Sequence, residues 1–143
     1  SSLFNETELL AQSKLENKPI MLYFTGYACV NCRRIEHSTL LDPDIATSLM
    51  HEFIFVPLFV DDKTELALEE QKQVQIGERT RNLVTIGNKH HHYQVSRFQT
   101  SSQPYFVVLN GENEILEIAD YSTNSVEDYL LFLQNSLDAF YEK

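Results

Sequence analysis

The chain has 143 residues and a formal net charge of −10, from 11 Lys and Arg against 21 Asp and Glu. Phosphate backbones and anionic membrane surfaces need clustered cations, so this acidity excludes nucleic acid as an expected partner. The 43% hydrophobic and 22% charged residues suit a single globular domain over 1–143, and no apolar run approaches the roughly 20 residues needed for membrane insertion.

The first predicted element is a helix from about Glu6 to Glu16. Asn5-Glu-Thr-Glu8 has the pattern of a capping box, and Phe4 with Leu9 stands at the positions of a hydrophobic staple. Ile20 to Phe24 reads as a central strand, apolar on both faces as expected when helices cover each side. Gly26 turns that strand into a helix expected from Cys29 to about Thr39. Asp42 then suits an N-cap and Pro43 the first position of a further helix through about Met50.

Phe53-Ile-Phe-Val-Pro-Leu-Phe-Val60 is the second strong strand. Pro57 should cost it a ladder bond, which points to an edge position or a bulge. Asp61-Asp62 closes it. Thr64 to Lys72 has helical propensity but is acidic, a solvated surface segment. Residues 73–88 hold two glycines and few helix formers and read as a long irregular loop or a small hairpin.

A helix is expected to return from Lys89 to Phe98, with Tyr93 and Phe98 or Val95 inward. Adjacent residues fan around a helix, so His90-His91-His92 reads as a solvated run. Pro104-Tyr-Phe-Val-Val-Leu109, the turn Asn110-Gly111 and Glu114-Ile-Leu-Glu-Ile118 form the best hairpin signal. The last helix starts near Asn124-Ser125 and carries a core-facing stripe of Val126, Tyr129, Leu130, Leu133, Leu137 and Phe140. The order α, β, α, β, α, β, β, α places the chain in the α/β class, with helices on both faces of a mixed sheet.

Chemistry concentrates on Cys29 and Cys32, the only two cysteines. Cys29 falls at or just before the first helical position, where free N–H groups stabilise a thiolate and depress its pKa. Cys32 follows one turn later on the same face, close enough for a disulfide, although spacing alone does not guarantee bridge geometry. Three other readings compete with a redox pair. A structural disulfide this short would constrain the unfolded chain little. A zinc site needs two more ligands, with His37 and the run His90 to His92 as the soft candidates. Inert core thiols would leave the strand-to-helix position unexplained. That position favours redox chemistry. Glu36, four residues after Cys32 in a regular helix, would face both sulfurs, disfavour a second thiolate and offer a base for the Cys32 proton. A solvated helix charge is the alternative reading. Arg33 and Arg34 either tune the local potential or are exposed helix charges.

Phe24-Thr-Gly-Tyr-Ala-Cys29-Val-Asn-Cys32-Arg-Arg-Ile-Glu36, Leu41-Asp-Pro-Asp-Ile45 and Gln103-Pro104-Tyr-Phe-Val-Val-Leu109 resemble the thioredoxin superfamily. Within it, the chain most resembles the C-terminal periplasmic domain of DsbD-type transmembrane thiol:disulfide interchange proteins, in a Bacteroides-like form. The resemblance covers most of the chain, with residues about 73–90 as an insertion. It implies a thioredoxin-like fold, with Cys29 as nucleophile and Cys32 as resolving thiol. It also implies a cis Pro104 beside the disulfide, with the Gln103 backbone pairing to an incoming substrate strand. No cofactor is implied beyond the redox-active Cys29–Cys32 disulfide. The implied partners are oxidised protein disulfides and an upstream membrane-embedded thiol donor in the same longer chain. The implied location is periplasmic, tethered to the inner membrane, and the start at Ser1 without Met fits a domain of a longer protein.

Two departures stand out. Ala28 occupies the place where many relatives carry Trp, so aromatic packing beside the sulfur comes from Tyr27 or is absent, and Tyr23 replaces a buried carboxylate. Two rival functions are a non-catalytic thioredoxin-fold binding module using the groove near Pro104, and a soft-metal carrier using Cys29, Cys32 and His37.

Overall fold

The computed structural model describes residues 4–142. Its centre is β1 (Ile20–Thr25), every residue of which is buried. β2 (Ile54–Phe59) runs parallel to β1 on one side, and β5 (Tyr105–Leu109) runs antiparallel on the other. β6 (Ile115–Asp120) pairs antiparallel with β5, so the mixed sheet has the order β2-β1-β5-β6. Alternation along β1 divides the core in two. Ile20, Leu22 and Phe24 pack with Phe4, Phe98, Val107 and Leu109 on one face. Met21 and Tyr23 pack with Ile35, Ile45, Leu49, Tyr129 and Leu133 on the other. Helices therefore cover both faces, α1 (Glu6–Glu16) and α4 (Ile86–Phe98) on the first, and α2 (Val30–Ile35), α3 (Pro43–His51) and α5 (Val126–Tyr141) on the second.

Local signals account for most boundaries. The Asn5 side chain accepts from the Glu8 amide at 3.0 Å, Asp42 caps α3 ahead of Pro43, and Ser125 caps α5. α1 and α4 stop at Asn17 and Gln99, both in the left-handed region. β2 is an edge strand, as Pro57 indicates, but the expected loss of a ladder bond is corrected. The Ile54 and Val60 amides donate to Pro19 and Thr25, so by alternation the even residues of β2 face β1. Position 57 faces the open edge, where a missing N–H breaks no pairing.

Four further expectations change. The helix expected from Cys29 to Thr39 is α2 followed by a π-helical turn over Glu36–Leu40, so the segment is not one regular α-helix. Thr64 to Lys72 is mostly extended, pairing Glu65 with Thr85 and forming one 3₁₀ turn at Leu68–Glu70. Pairing outweighs its helical propensity. The segment 73–88, by contrast, takes the small hairpin that was one of its two expected forms, β3 (Lys72–Ile76) pairing with β4 (Arg79–Leu83) and turning at Gly77 with φ +60°. α4 begins at Ile86 rather than Lys89, because Thr85 and Asn88 form a reciprocal capping box. His90 is not solvated: it is 4% exposed, its Nδ1 lying 3.0 Å from the Phe59 carbonyl oxygen.

Candidate active site

The cysteines stand where β1 ends. After Thr25 the chain turns at Gly26, whose carbonyl accepts from the Cys29 amide at 3.2 Å, and Cys29 becomes the N-cap of α2. Cys29 and Cys32 form a disulfide with Cα atoms 5.2 Å apart, within the ordinary range for such bridges. The two sulfurs differ in surroundings. Cys32 is 0% exposed, whereas Cys29 is only half-buried. The Cys32 amide donates to the Cys29 sulfur at 3.1 Å, the contact that would hold a thiolate after reduction.

The Gln103–Pro104 peptide bond is cis and Pro104 is buried. Across the site, the Gln103 carbonyl oxygen lies 3.7 Å from the Cys29 sulfur. The structure thus brings Cys29, Cys32 and the 103–104 turn together from positions 74 residues apart.

Tyr27 stacks on Phe59, with ring centroids 4.0 Å apart, and is 60% exposed. It provides an aromatic surface two residues before Cys29. The turn that carries it is held from both sides. Asp61, just beyond β2, accepts from the Tyr27 and Ala28 amides at 2.9 and 3.1 Å. Partial burial opposes ionisation of Asp61, but these amides and the Arg33 charge outweigh it and hold the carboxyl below its usual range. From the other side, Arg33 donates to the Tyr27 carbonyl at 3.1 Å and to Thr25 Oγ1 at 3.2 Å.

Arg33 also forks onto Glu36, with Nε to Oε1 at 3.0 Å and Nη2 to Oε2 at 2.7 Å. The Tyr23 hydroxyl donates to the same Oε2 at 2.8 Å. Glu36 is therefore anchored by three donors, and among the described residues it makes no hydrogen bond to either cysteine. Burial, reinforced by the Glu36 carboxylate, pushes the Tyr23 phenol far above its ordinary range, so Tyr23 remains a donor. The carboxylate lines an apolar cavity of about 620 Å³ with Leu40, Phe55 and Phe59, where its field is screened less than on an open helix face.

Sequence reasoning missed Asp61 as part of the site, and for Arg33 it offered a tuner of the local potential or an exposed helix charge without its hydrogen bonds to the turn and to Glu36. A signal for Asp61 existed: in open α/β sheets, residues beyond the carboxyl ends of adjacent parallel strands gather at one crevice, and β1 and β2 are such strands. The metal-carrier set is not assembled, since no three His, Cys, Asp or Glu side chains cluster as ligands among the described residues. His37 is exposed.

A mixed sheet with helices on both faces, a Cys-x-x-Cys disulfide at the end of its central strand and a cis-proline turn opposite define a thioredoxin-like fold. The chain belongs to the thioredoxin-like domain family, which it matches over residues 7–132. No curated protein sequence matches it. Among solved structures it is similar to a DsbH oxidoreductase, at 18% identity and TM-score 0.65, covering 95% of this chain and 83% of that one. A thioredoxin from Thermus thermophilus gives 21% identity and TM-score 0.61, over 94% and 86% of the two chains. The oxidised DsbD C-terminal domain of Neisseria meningitidis gives 14% identity and TM-score 0.57, over 93% and 98%. These likenesses show the fold.

Proposed function

We propose that the protein is a thiol:disulfide oxidoreductase, a protein-disulfide reductase or interchange domain cycling Cys29 and Cys32 between dithiol and disulfide. The observation that carries this reading is the asymmetry of the pair: a half-buried Cys29 sulfur facing a backbone donor, and a sealed Cys32 behind it. In the reduced protein, the Cys29 thiolate attacks one sulfur of a substrate disulfide, forms a mixed disulfide and expels the first substrate thiolate. Cys32 then loses its proton and attacks the Cys29 sulfur, expelling the second thiolate and closing the Cys29–Cys32 bridge. Two electrons pass to the substrate, and its two thiolates take up protons.

Glu36 is the proposed acceptor for the Cys32 proton, with Tyr23 and Arg33 fixing its carboxylate. Gln103 and Pro104 offer main chain to a substrate strand, and Tyr27 an aromatic surface beside it. No cofactor is needed beyond the cysteine pair. The likeness to DsbD C-terminal domains supports a periplasmic domain that receives electrons from a membrane-embedded thiol donor and passes them to oxidised proteins. No helix among the described residues is long and apolar enough to cross a membrane.

The test is equilibration with glutathione and dithiothreitol buffers, followed by assay of insulin reduction. A reversible two-electron couple, with turnover abolished in Cys29→Ser, is expected. A protein that cycles but reduces no protein disulfide would favour the binding-module alternative.

A further inference from the structure

α4 buries a polar side chain that the exchange chemistry does not use. Gln94 is 0% exposed. A primary amide is tolerated in such a place only when its donors and acceptor are bonded. Its Nε2 donates to the Ser102 carbonyl at 2.8 Å, and its Oε1 accepts from Gln103 Nε2 at 2.9 Å. Gln103 Nε2 also donates to the Ser101 carbonyl at 2.9 Å. One side chain on α4 thus grips both residues that precede Pro104. With its side chain drawn toward α4, Gln103 leaves its carbonyl oxygen 3.7 Å from the Cys29 sulfur.

We propose that Gln94 is a positioning residue that fixes the main chain of Ser102 and Gln103 against the Cys29 sulfur, and so favours extended-chain protein disulfides over small ones. The inference rests on the exchange reaction above and names its specificity determinant. An incoming strand pairs with main-chain groups whose direction must be fixed before it arrives, because a turn free to rotate spends binding energy on its own ordering. A small dialkyl disulfide needs only the half-buried Cys29 sulfur. Loosening residues 102–103 therefore harms the first class of substrate and spares the second.

The test compares insulin with 2-hydroxyethyl disulfide. Gln94→Met keeps the length of the side chain and removes both hydrogen bonds. It should raise KM for insulin about tenfold while kcat/KM for the small disulfide stays within about twofold. Gln94→Glu is the second variant, informative even if Gln94→Met fails to fold. When protonated, its O–H can donate to Ser102 while its carbonyl accepts from Gln103; when ionised, it can only accept. Its preference for insulin, measured relative to the wild-type protein at each pH, should be retained at acid pH and lost as pH rises. An equal fall with both substrates, an unchanged KM for insulin in folded Gln94→Met, or a pH-independent preference in Gln94→Glu overturns the proposal. A wild-type protein inert toward insulin overturns both this inference and the reading it rests on; an active wild type with indifferent variants overturns this inference alone.

Discussion

The two carboxylates of the site are each held by donors, Glu36 by Tyr23 and Arg33 and Asp61 by the Tyr27 and Ala28 amides. Glu36 accepts from Tyr23 and twice from Arg33, so Glu36→Gln keeps the shape but loses the charge that Arg33 pairs with and, on the proposed mechanism, the base for the Cys32 proton. Release of a substrate trapped on Cys29 should slow by about a hundredfold, the low end of general-base effects, with the first attack little changed. Single-turnover kinetics on a preformed mixed disulfide check this, and an unchanged release rate would leave Glu36 without a catalytic part. Asp61 gives a pH prediction. Its folded-state pKa is lowered, chiefly against burial and through the Tyr27 and Ala28 amides, so its contribution to stability is fully present above the unfolded value of about 3.9. That contribution disappears as pH falls through the depressed folded value. Denaturation of the wild-type protein and Asp61→Asn should accordingly differ at neutral pH and converge in acid; a constant gap across this range would show that the charge of Asp61 adds nothing to its hold on the turn. The two cysteines were legible in the sequence because their identity and their strand-to-helix position announce their chemistry, and Pro104 because the stretch around it resembles the thioredoxin superfamily. Asp61 and Gln94 were not, since an aspartate after a strand and a glutamine on a helix acquire their roles only from what the fold places against them.

α4 is the element that ties the two sides of the site together. Its first turn is stitched to the chain leaving β2: the Gly87 amide donates to the Asp62 carbonyl at 2.9 Å, and one turn later His90 reaches the Phe59 carbonyl. Another turn on, Gln94 reaches the 102–103 segment, so residues 90, 94 and 98 form one buried stripe at four-residue spacing. That periodicity was present in the sequence, but two of the three positions are polar, which disguised the inward face. The capping box at Thr85 was overlooked for a related reason, because the hairpin before it offered no apolar pattern to mark where a helix should begin. By contrast α1, β1 and α5 were legible from caps and spacing, their local preferences agreeing with their tertiary surroundings. At Gly87 a Cβ would lie 2.6 Å from the Val60 carbonyl oxygen and 2.7 Å from the Asp62 amide nitrogen, both backbone atoms. Gly87→Ala should therefore destabilise the protein by about 1–3 kcal/mol, the usual cost of overpacking. Because Asp61 lies between those two residues, insulin reduction should fall as well. A lower urea midpoint at unchanged slope is the expected signature, and a midpoint equal to wild type would mean that α4 and the loop can separate without cost.

The sheet as a whole has two edges, and they are protected differently. β6 carries Glu117 and Asp120, charges that discourage a second sheet from adding there. β2 is apolar, and its protection is built into the backbone. Phe55, Pro57 and Phe59 are the residues whose main chain faces outward; the Phe59 carbonyl is taken by His90, and Pro57 has no N–H to offer. The open row thus has no donor at its middle position. Pro57→Val would supply one, together with a β-branched side chain suited to a strand. Since position 57 makes no amide bond to β1, the fold should survive the change, and circular dichroism and insulin reduction should remain close to wild type. Self-association is the property expected to change, through pairing of the newly continuous β2 edge with another copy. Sedimentation equilibrium at rising concentration should give a larger average mass for Pro57→Val than for the wild-type protein. The net charge of −10 opposes such association, so the difference should widen with added salt as that repulsion is screened. If both proteins have the same mass at every concentration and salt level, the edge is guarded by the aromatic side chains or by charge, and the proline is not what keeps it closed.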